Sequence, residues 1–321
     1  MSIEVVTLGE AMVGLVASDL GPLAEATRFE RFIAGAEANV AVGLARLGHR
    51  AAYVGRVGAD GFGTAIARAL RGEGVDVTGL RIDRETRTGI FVRERRLVGA
   101  ADLVYYRAGS AGSRLDPTDV ADADLFAADR WLHVTGITPA LSSSCRMAVE
   151  TAIDRARGAG MTVSFDVNLR RKLWTEAEAG PVLRAIAGSA DVVFASLDEA
   201  AVLLGSQPRS AIDAASGLMD LGPSVAVLKL GPAGALARER DRPGSSHEGF
   251  PIPLVVDPVG AGDAFVAGFI AARLEGGDLE TALAWGNAAG ASVAATVGDM
   301  TGLPSRTELE AILASGPDML R

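Results

Sequence analysis

Apolar positions fall along this chain in two alternating patterns, short continuous runs and longer stretches spaced by three and four, as strands and helices taking turns would give. From Arg130 onward the alternation is regular. Runs at Trp131 to Val134, Thr162 to Phe165, Val192 to Phe194 and Val225 to Leu228 predict strands, with helical stretches between them. Earlier, Ile3 to Leu8 predicts a first strand, and Gly35 to Gly48 a turn and a helix with Val40, Leu44 and Leu47 on one face. Ala51 to Val57 predicts a buried strand and Phe62 to Leu70 another helix, whereas Gly9-Glu10 to Phe32 gives only short mixed segments. From Thr88 the pattern changes: Gly89 to Arg93 and Asp102 to Tyr106 predict strands with no helix between them, a local antiparallel patch. The polar run Arg238 to Ser246 reads as a solvated loop. Such alternation predicts an α/β fold, a mostly parallel sheet flanked by helices, with ligands beyond the carboxyl ends of its strands.

Chemistry concentrates in one stretch, Val255-Val256-Asp257-Pro258-Val259-Gly260-Ala261-Gly262-Asp263-Ala264-Phe265-Val266-Ala267-Gly268-Phe269. The helical spacing of Phe265, Phe269, Ile270 and Leu274 makes Gly260 to Gly262 a turn and puts Asp263 in the first helical turn. A glycine-rich turn feeding a helix start aims backbone N–H groups outward, with the positive end of the helix dipole behind them, and suits phosphate. An acid there has a use in phosphoryl transfer to an alcohol. Asp263 takes the hydroxyl proton while the amides of Gly260, Ala261 and Gly262 hold the charge building on the phosphoryl group. A helix-capping aspartate explains the same residues and is the more ordinary case. No G-x-x-x-x-G-K-[ST] occurs and no G-x-G-x-x-G follows a strand, which removes the Walker-type cradle and the main support for an NAD-dependent oxidoreductase.

The 321 residues, 49% hydrophobic, can bury a large core as one large α/β domain or two smaller ones. A net charge of −9 and a pI near 5.0 argue against a nucleic-acid surface, and any anionic substrate must be drawn by local arginines against the overall field. Cys145 is the only cysteine, so there is no intramolecular disulfide framework and no thiolate metal cluster. His49, His133 and His247 show no metal-ligand spacing and read as structural or surface residues. The start of the chain has no basic n-region, and Ala282 to Val297 is interrupted and too short to span a bilayer. A cytoplasmic protein without a membrane partner is expected.

Asp257-Pro258-Val259-Gly260-Ala261-Gly262-Asp263-Ala264-Phe265 resembles the C-terminal signature of the ribokinase-like (PfkB) carbohydrate kinases, in which a D-x-x-G-A-G-D segment carries the catalytic aspartate. Gly35-Ala36-Glu37-Ala38-Asn39-Val40-Ala41, continuing to Leu47-Gly48, resembles the N-terminal signature, and Gly55 to Gly63 the block that follows it. These motifs stand in family order across nearly the whole chain. The resemblance implies one ribokinase-like kinase domain over residues 1–321, with a small β-sheet lid from segments near 11–33 and 88–108. It further implies ATP and Mg²⁺ as cofactors, a sugar or sugar acid as substrate, and a homo-oligomer formed through the lid.

A kinase for a neutral sugar needs hydroxyl-directed carboxylates and amides, whereas a sugar acid also needs a guanidinium. Tyr105 to Ala111 and Asp166 to Trp174 supply arginines. Strand alternation sends Tyr105 and Arg107 to one face and Tyr106 to the other, although an amphipathic strand with an exposed charge is the ordinary explanation. Both segments, with Gly9-Glu10-Ala11-Met12, resemble the 2-keto-3-deoxygluconate kinase branch. That likeness implies that Gly35 and Asn39 meet the sugar, Tyr105 and Arg107 come from the lid, Arg170 meets the carboxylate end, Asp299 is a further substrate-facing acid and Asp263 takes the proton. Phe91 departs from the branch, which commonly has a tyrosine there. Fructokinase-like and ribokinase-like activities, and a non-catalytic sugar-binding regulator, therefore stay open.

On the nucleotide side, Ser196-Leu197-Asp198-Glu199 resembles the family's N-x-x-E element and implies that Glu199 organises Mg²⁺ through water; a helix-start serine followed by acids explains it more simply. Lys229-Leu230-Gly231-Pro232-Ala233-Gly234 matches the family's ATP-side loop, with a simple turn as the alternative. Asn168 is expected beside the nucleotide, and so is Asn287, which equally fits a surface position. The spacing of Asp257 and Val259 fits a monovalent-cation site, such as one for K⁺, seen in some relatives.

Overall fold

Strands that are apolar at every position have both faces to bury, and this chain meets the demand with helices on each side of one sheet. The computed structural model describes residues 2–96, 102–121, 124–127 and 131–315. The first part contains β1 (Val5–Leu8), β2 (Met12–Leu20), β3 (Phe29–Ala34), α1 (Ala36–Arg46), β4 (Ala51–Gly58), α2 (Gly61–Gly72) and β5 (Leu80–Asp83). Next come β6 (Ile90–Arg95), β7 (Leu103–Tyr106), α3 (Pro117–Ala121), β8 (Trp131–Thr135), α4 (Ser143–Gly158), β9 (Thr162–Asp166), α5 (Glu176–Gly188) and β10 (Val192–Ala195). The remainder is α6 (Leu197–Leu204), α7 (Ala211–Asp220), β11 (Val225–Lys229), β12 (Ala235–Glu239), β13 (Ser245–His247), α8 (Ala261–Leu274), α9 (Leu279–Ala294) and α10 (Arg306–Ser315).

The main sheet has nine strands in the order β13-β12-β11-β10-β9-β8-β1-β4-β5, parallel except at β12 and β13. Alternation divides each strand between two cores. Val192, Phe194, Val225 and Val227 face α1, α8 and α9, while Val193, Ala195, Ala226 and Leu228 face α4 to α7. Gly268 of α8 lies so close to α9 that a Cβ there would sit 2.6 Å from the Trp285 carbonyl oxygen. This close approach seats α8 and fixes where its N-terminus points.

A second sheet, ordered β3-β2-β6-β7, leaves the carboxyl end of β1 and returns into α1. Three expectations change here. The span between Gly9 and Phe32 contains the strands β2 and most of β3, where only mixed segments were expected. The patch from Thr88 is antiparallel only between β6 and β7, because β6 pairs with β2 in parallel. The run Arg238 to Ser246 is a hairpin at the sheet edge, with Asp241 in the left-handed region at the turn. Residues 97–101 of the expected lid segment, and Arg130, lie outside the described residues.

Candidate active site

The carboxyl ends of β1, β8, β9, β10 and β11 gather the residues that matter. Glu10 follows β1, Asp166 ends β9, Ser196 follows β10 and Lys229 ends β11. The N-terminus of α8 closes the ring. Its cap, Gly260, has φ 84°, a left-handed backbone, and a Cβ there would sit 2.9 Å from the Asp299 carbonyl oxygen. No side chain caps this helix. The Ala261 N–H turns back to the Pro258 carbonyl at 3.3 Å and is spent within the turn. Gly260, Ala261 and Gly262 are half-buried and reachable, whereas Asp263 is buried.

Two amides orient Asp263. Asn39 Nδ2 donates to Oδ2 at 2.8 Å, and Asn168 Nδ2 to Oδ1 at 3.3 Å. Asn168 holds φ 37°, a left-handed conformation that asparagine tolerates better than most residues, and its amide also lies 3.4 Å from Asp166. The other end of the Asn39 amide, Oδ1, is buried and has no hydrogen-bond partner among the described residues, an acceptor suited to a hydroxyl. Gly35, buried at the mouth of α1, brings its backbone against that of Glu10 and Ala11. Lys229 Nζ donates to Asp166 Oδ1 at 2.6 Å and lies 3.6 Å from where a Gly262 Cβ would be. Burial works against this ammonium, yet Asp166, Glu199 and Asp263 outweigh it and hold its pKa above the ordinary value. A fixed cation therefore sits beside the turn.

Three carboxyls at the site are held back from ionising. Burial pushes Asp166 up to about 6, against the neighbouring Lys229 charge. Burial pushes Glu37 up to about 7, against hydrogen bonds from Thr138 and Thr135, with the Asp263 charge adding a little. Burial and then Asp263 push Asp299 up to about 7, while Arg93 pulls the other way.

The small sheet presents Phe91, Tyr105 and Arg107. The Phe91 and Tyr105 rings lie 6.0 Å apart, Arg107 stands 5.4 Å from the Tyr105 centroid, and Tyr106 is 63% exposed on the opposite face, as alternation predicts. Arg107 is not a free anion receptor: its Nε donates to Glu10 Oε2 at 2.8 Å, and Ser110 donates to the other Glu10 oxygen. Arg170 is different. Its side chain is exposed and makes no hydrogen bond or ion pair with the described residues, while its carbonyl accepts from the Leu173 N–H at 2.8 Å, and Lys172, in the same loop, donates to the Leu103 carbonyl of β7 at 2.8 Å.

Four of the expected site positions carry structural contacts of their own. Ser196 and Glu199 form a capping box at α6, and Glu199 also accepts from the Leu169 N–H at 2.9 Å, so its carboxylate organises backbone. Gly231 and Gly234 make the tight turn between β11 and β12. The Asn287 amide is spent on the His247 and Glu248 carbonyls at 3.0 and 3.2 Å. Asp257 pairs with Arg93. A hollow of about 630 Å³ between α5 and α6 touches none of the site residues.

Sequence reasoning missed Glu10, Glu37, Asp166 and Arg93. Glu10 and Asp166 could have been found as acids at strand ends, Glu37 as an acid inside an apolar helix start, and Arg93 as the residue two beyond Phe91 on one strand.

A profile of the pfkB family carbohydrate kinases matches residues 2–306. The chain belongs to this family. It is an ATP-dependent sugar kinase. The chain is 38% identical to the 2-dehydro-3-deoxygluconokinase of Bacillus subtilis over 98% of its length and 97% of that protein. It is equally identical to the enzyme of that name from Thermoproteus tenax, over 97% and 94%. A fructokinase from Klebsiella pneumoniae is 35% identical over 97% and 99%. Among solved structures, a PfkB protein from Polaromonas superposes with a TM-score of 0.87 at 36% identity, covering 97% of this chain and all of that one. A putative ribokinase II from E. coli in complex with ATP and Mg²⁺ gives 0.88 at 26%, over 97% and 99%. A fructokinase from Vibrio cholerae with fructose, ADP and a potassium ion gives 0.83 at 32%, over 97% and 99%. Among the described residues no helix is long and apolar enough to cross a membrane.

Proposed function

We propose that this kinase phosphorylates the terminal hydroxyl of 2-keto-3-deoxygluconate, giving 2-keto-3-deoxy-6-phosphogluconate, in one kinase domain with the small sheet as its lid. The observation that carries the reaction is the seat of Asp263: a buried carboxylate, aimed by Asn39 and Asn168, in the first turn of an uncapped helix beside Lys229. The substrate hydroxyl donates its proton to Asp263 as its oxygen bonds to the γ-phosphorus and the bond to ADP breaks. The α8 N-terminal amides and Lys229 stabilise the charge on the transferring group. Mg²⁺ would arrive with the nucleotide, and Glu199, whose charge acts on both Asp166 and Lys229, would help organise it through water. When bound, Mg²⁺ supplies charge neutralisation on the phosphates. Asn39 Oδ1 and Asp299 receive sugar hydroxyls, and Arg170 receives the carboxylate.

Support for the sugar acid comes from the two relatives at 38% identity and from the unpaired Arg170. A fructokinase reading is favoured by Phe91, which offers no hydroxyl, and by Arg107, already neutralised by Glu10. The deciding experiment is ADP release with Mg-ATP over 2-keto-3-deoxygluconate, its galactonate epimer, gluconate, fructose and ribose. Turnover concentrated on a keto-deoxy acid supports the proposal; turnover on fructose alone replaces it with the second reading.

A further inference from the structure

Asp257 opens the loop that ends at Asp263, and a potassium ion accompanies the fructokinase from Vibrio cholerae. The residues here do not fit a free monovalent ion at Asp257. This carboxylate is buried, and Arg93 grips both of its oxygens: Nη1 donates to Oδ1 at 3.1 Å and Nη2 donates to Oδ2. The Val259 N–H donates to Oδ1 as well, at 3.2 Å. With both oxygens engaged by the guanidinium the carboxylate is occupied, and a second cation there would be repelled by that charge. Arg93 comes from β6 and shares a face with Phe91, so the grip runs from the small sheet to the turn below it.

We propose that Arg93 is a tethered cation taking the place of a monovalent ion at Asp257, so that the small sheet itself positions the 257–263 loop and the kinase needs no potassium. It acts as a positioning residue, through Asp257. The inference rests on the proposed role of that loop in holding the phosphoryl group, but its first readout requires neither sugar nor nucleotide.

That readout is thermal unfolding of the unliganded protein in potassium, sodium and tetramethylammonium chloride at equal ionic strength. The wild type melts at one temperature in all three. Arg93→Ala melts lower in tetramethylammonium and rises by about 2–4 °C in potassium, which binds the vacated carboxylate in the folded state alone. In turnover, Arg93→Ala loses roughly a hundredfold in tetramethylammonium, the cost of about 1 Å of misplacement, and recovers with potassium or low guanidinium chloride. Arg93→Lys keeps a cation on β6 and stays potassium-independent. A wild type that melts higher or turns over several-fold faster in potassium overturns the proposal, even if Arg93→Ala does not fold. An Arg93→Ala variant that folds and ignores every cation overturns it too. Failure of the sugar panel with these melts intact removes the substrate assignment and leaves Arg93 in place.

Discussion

Asn39 and Asn168 each donate an amide hydrogen bond to Asp263, so the carboxylate is aimed from two sides. Asp263→Asn preserves shape and still lets one of those amides donate to the new side-chain oxygen. Turnover is expected to fall roughly a hundredfold to ten-thousandfold, the range for loss of a general base, with the melting temperature little changed. Near-normal kcat in that variant would take the base role from Asp263. Arg170→Ala is expected to raise KM for a keto-deoxy acid roughly 10- to 100-fold, the loss of a charged hydrogen-bonding partner, and to leave a neutral sugar almost unaffected. An equal rise for both would assign Arg170 to the fold or the nucleotide. The place of Asp263 in the first turn of a helix was legible in the sequence, because the glycines of the turn stand directly before it. Arg93 and Glu10 were not, because their partners stand 164 and 97 residues away and only the fold pairs them.

Elements that alternate cleanly were legible; those whose residues answer to another element were not. β2 reads as broken because Gly14 interrupts it, yet that glycine leaves room for the Phe91 ring, and a Cβ there would come within 2.4 Å of it. The β12–β13 hairpin reads as a loop because edge strands carry charge and turn residues, which protect them from pairing with other chains. The small sheet also leaves large apolar side chains in the open, with Leu20, Phe29 and Tyr106 exposed at 56%, 40% and 63%. A homodimer through this sheet would cover them. Light scattering on the wild type is expected to give twice the chain mass, and Phe29→Asp combined with Tyr106→Asp to give a monomer. A wild-type monomer at micromolar concentration would remove the lid as an interface.

The molecule as a whole carries the cost of a site crowded with buried acids. Glu37 and Asp299 have ordinary carboxyl values of 4.5 and 3.8, and both are pushed up to about 7 in the fold, chiefly by burial. Between the unfolded and folded values the native state holds protons that the unfolded chain has released, so stability falls as pH rises across that window. The contribution is fully present below the unfolded value and gone above about 7. For Glu37 alone the whole shift corresponds to a loss on the order of 3 kcal/mol between pH 4.5 and 7. Other groups titrate in the same window, so the comparison with Glu37→Gln isolates this one, the glutamine keeping an oxygen for the Thr135 and Thr138 hydroxyls, which donate to Glu37 Oε1 at 2.7 Å each. Urea unfolding at pH 5 and pH 7.5 is expected to show a clear fall for the wild type and a smaller fall for the variant. Identical falls in the two proteins would mean that Glu37 keeps an ordinary titration and that the site's electrostatic strain is held elsewhere.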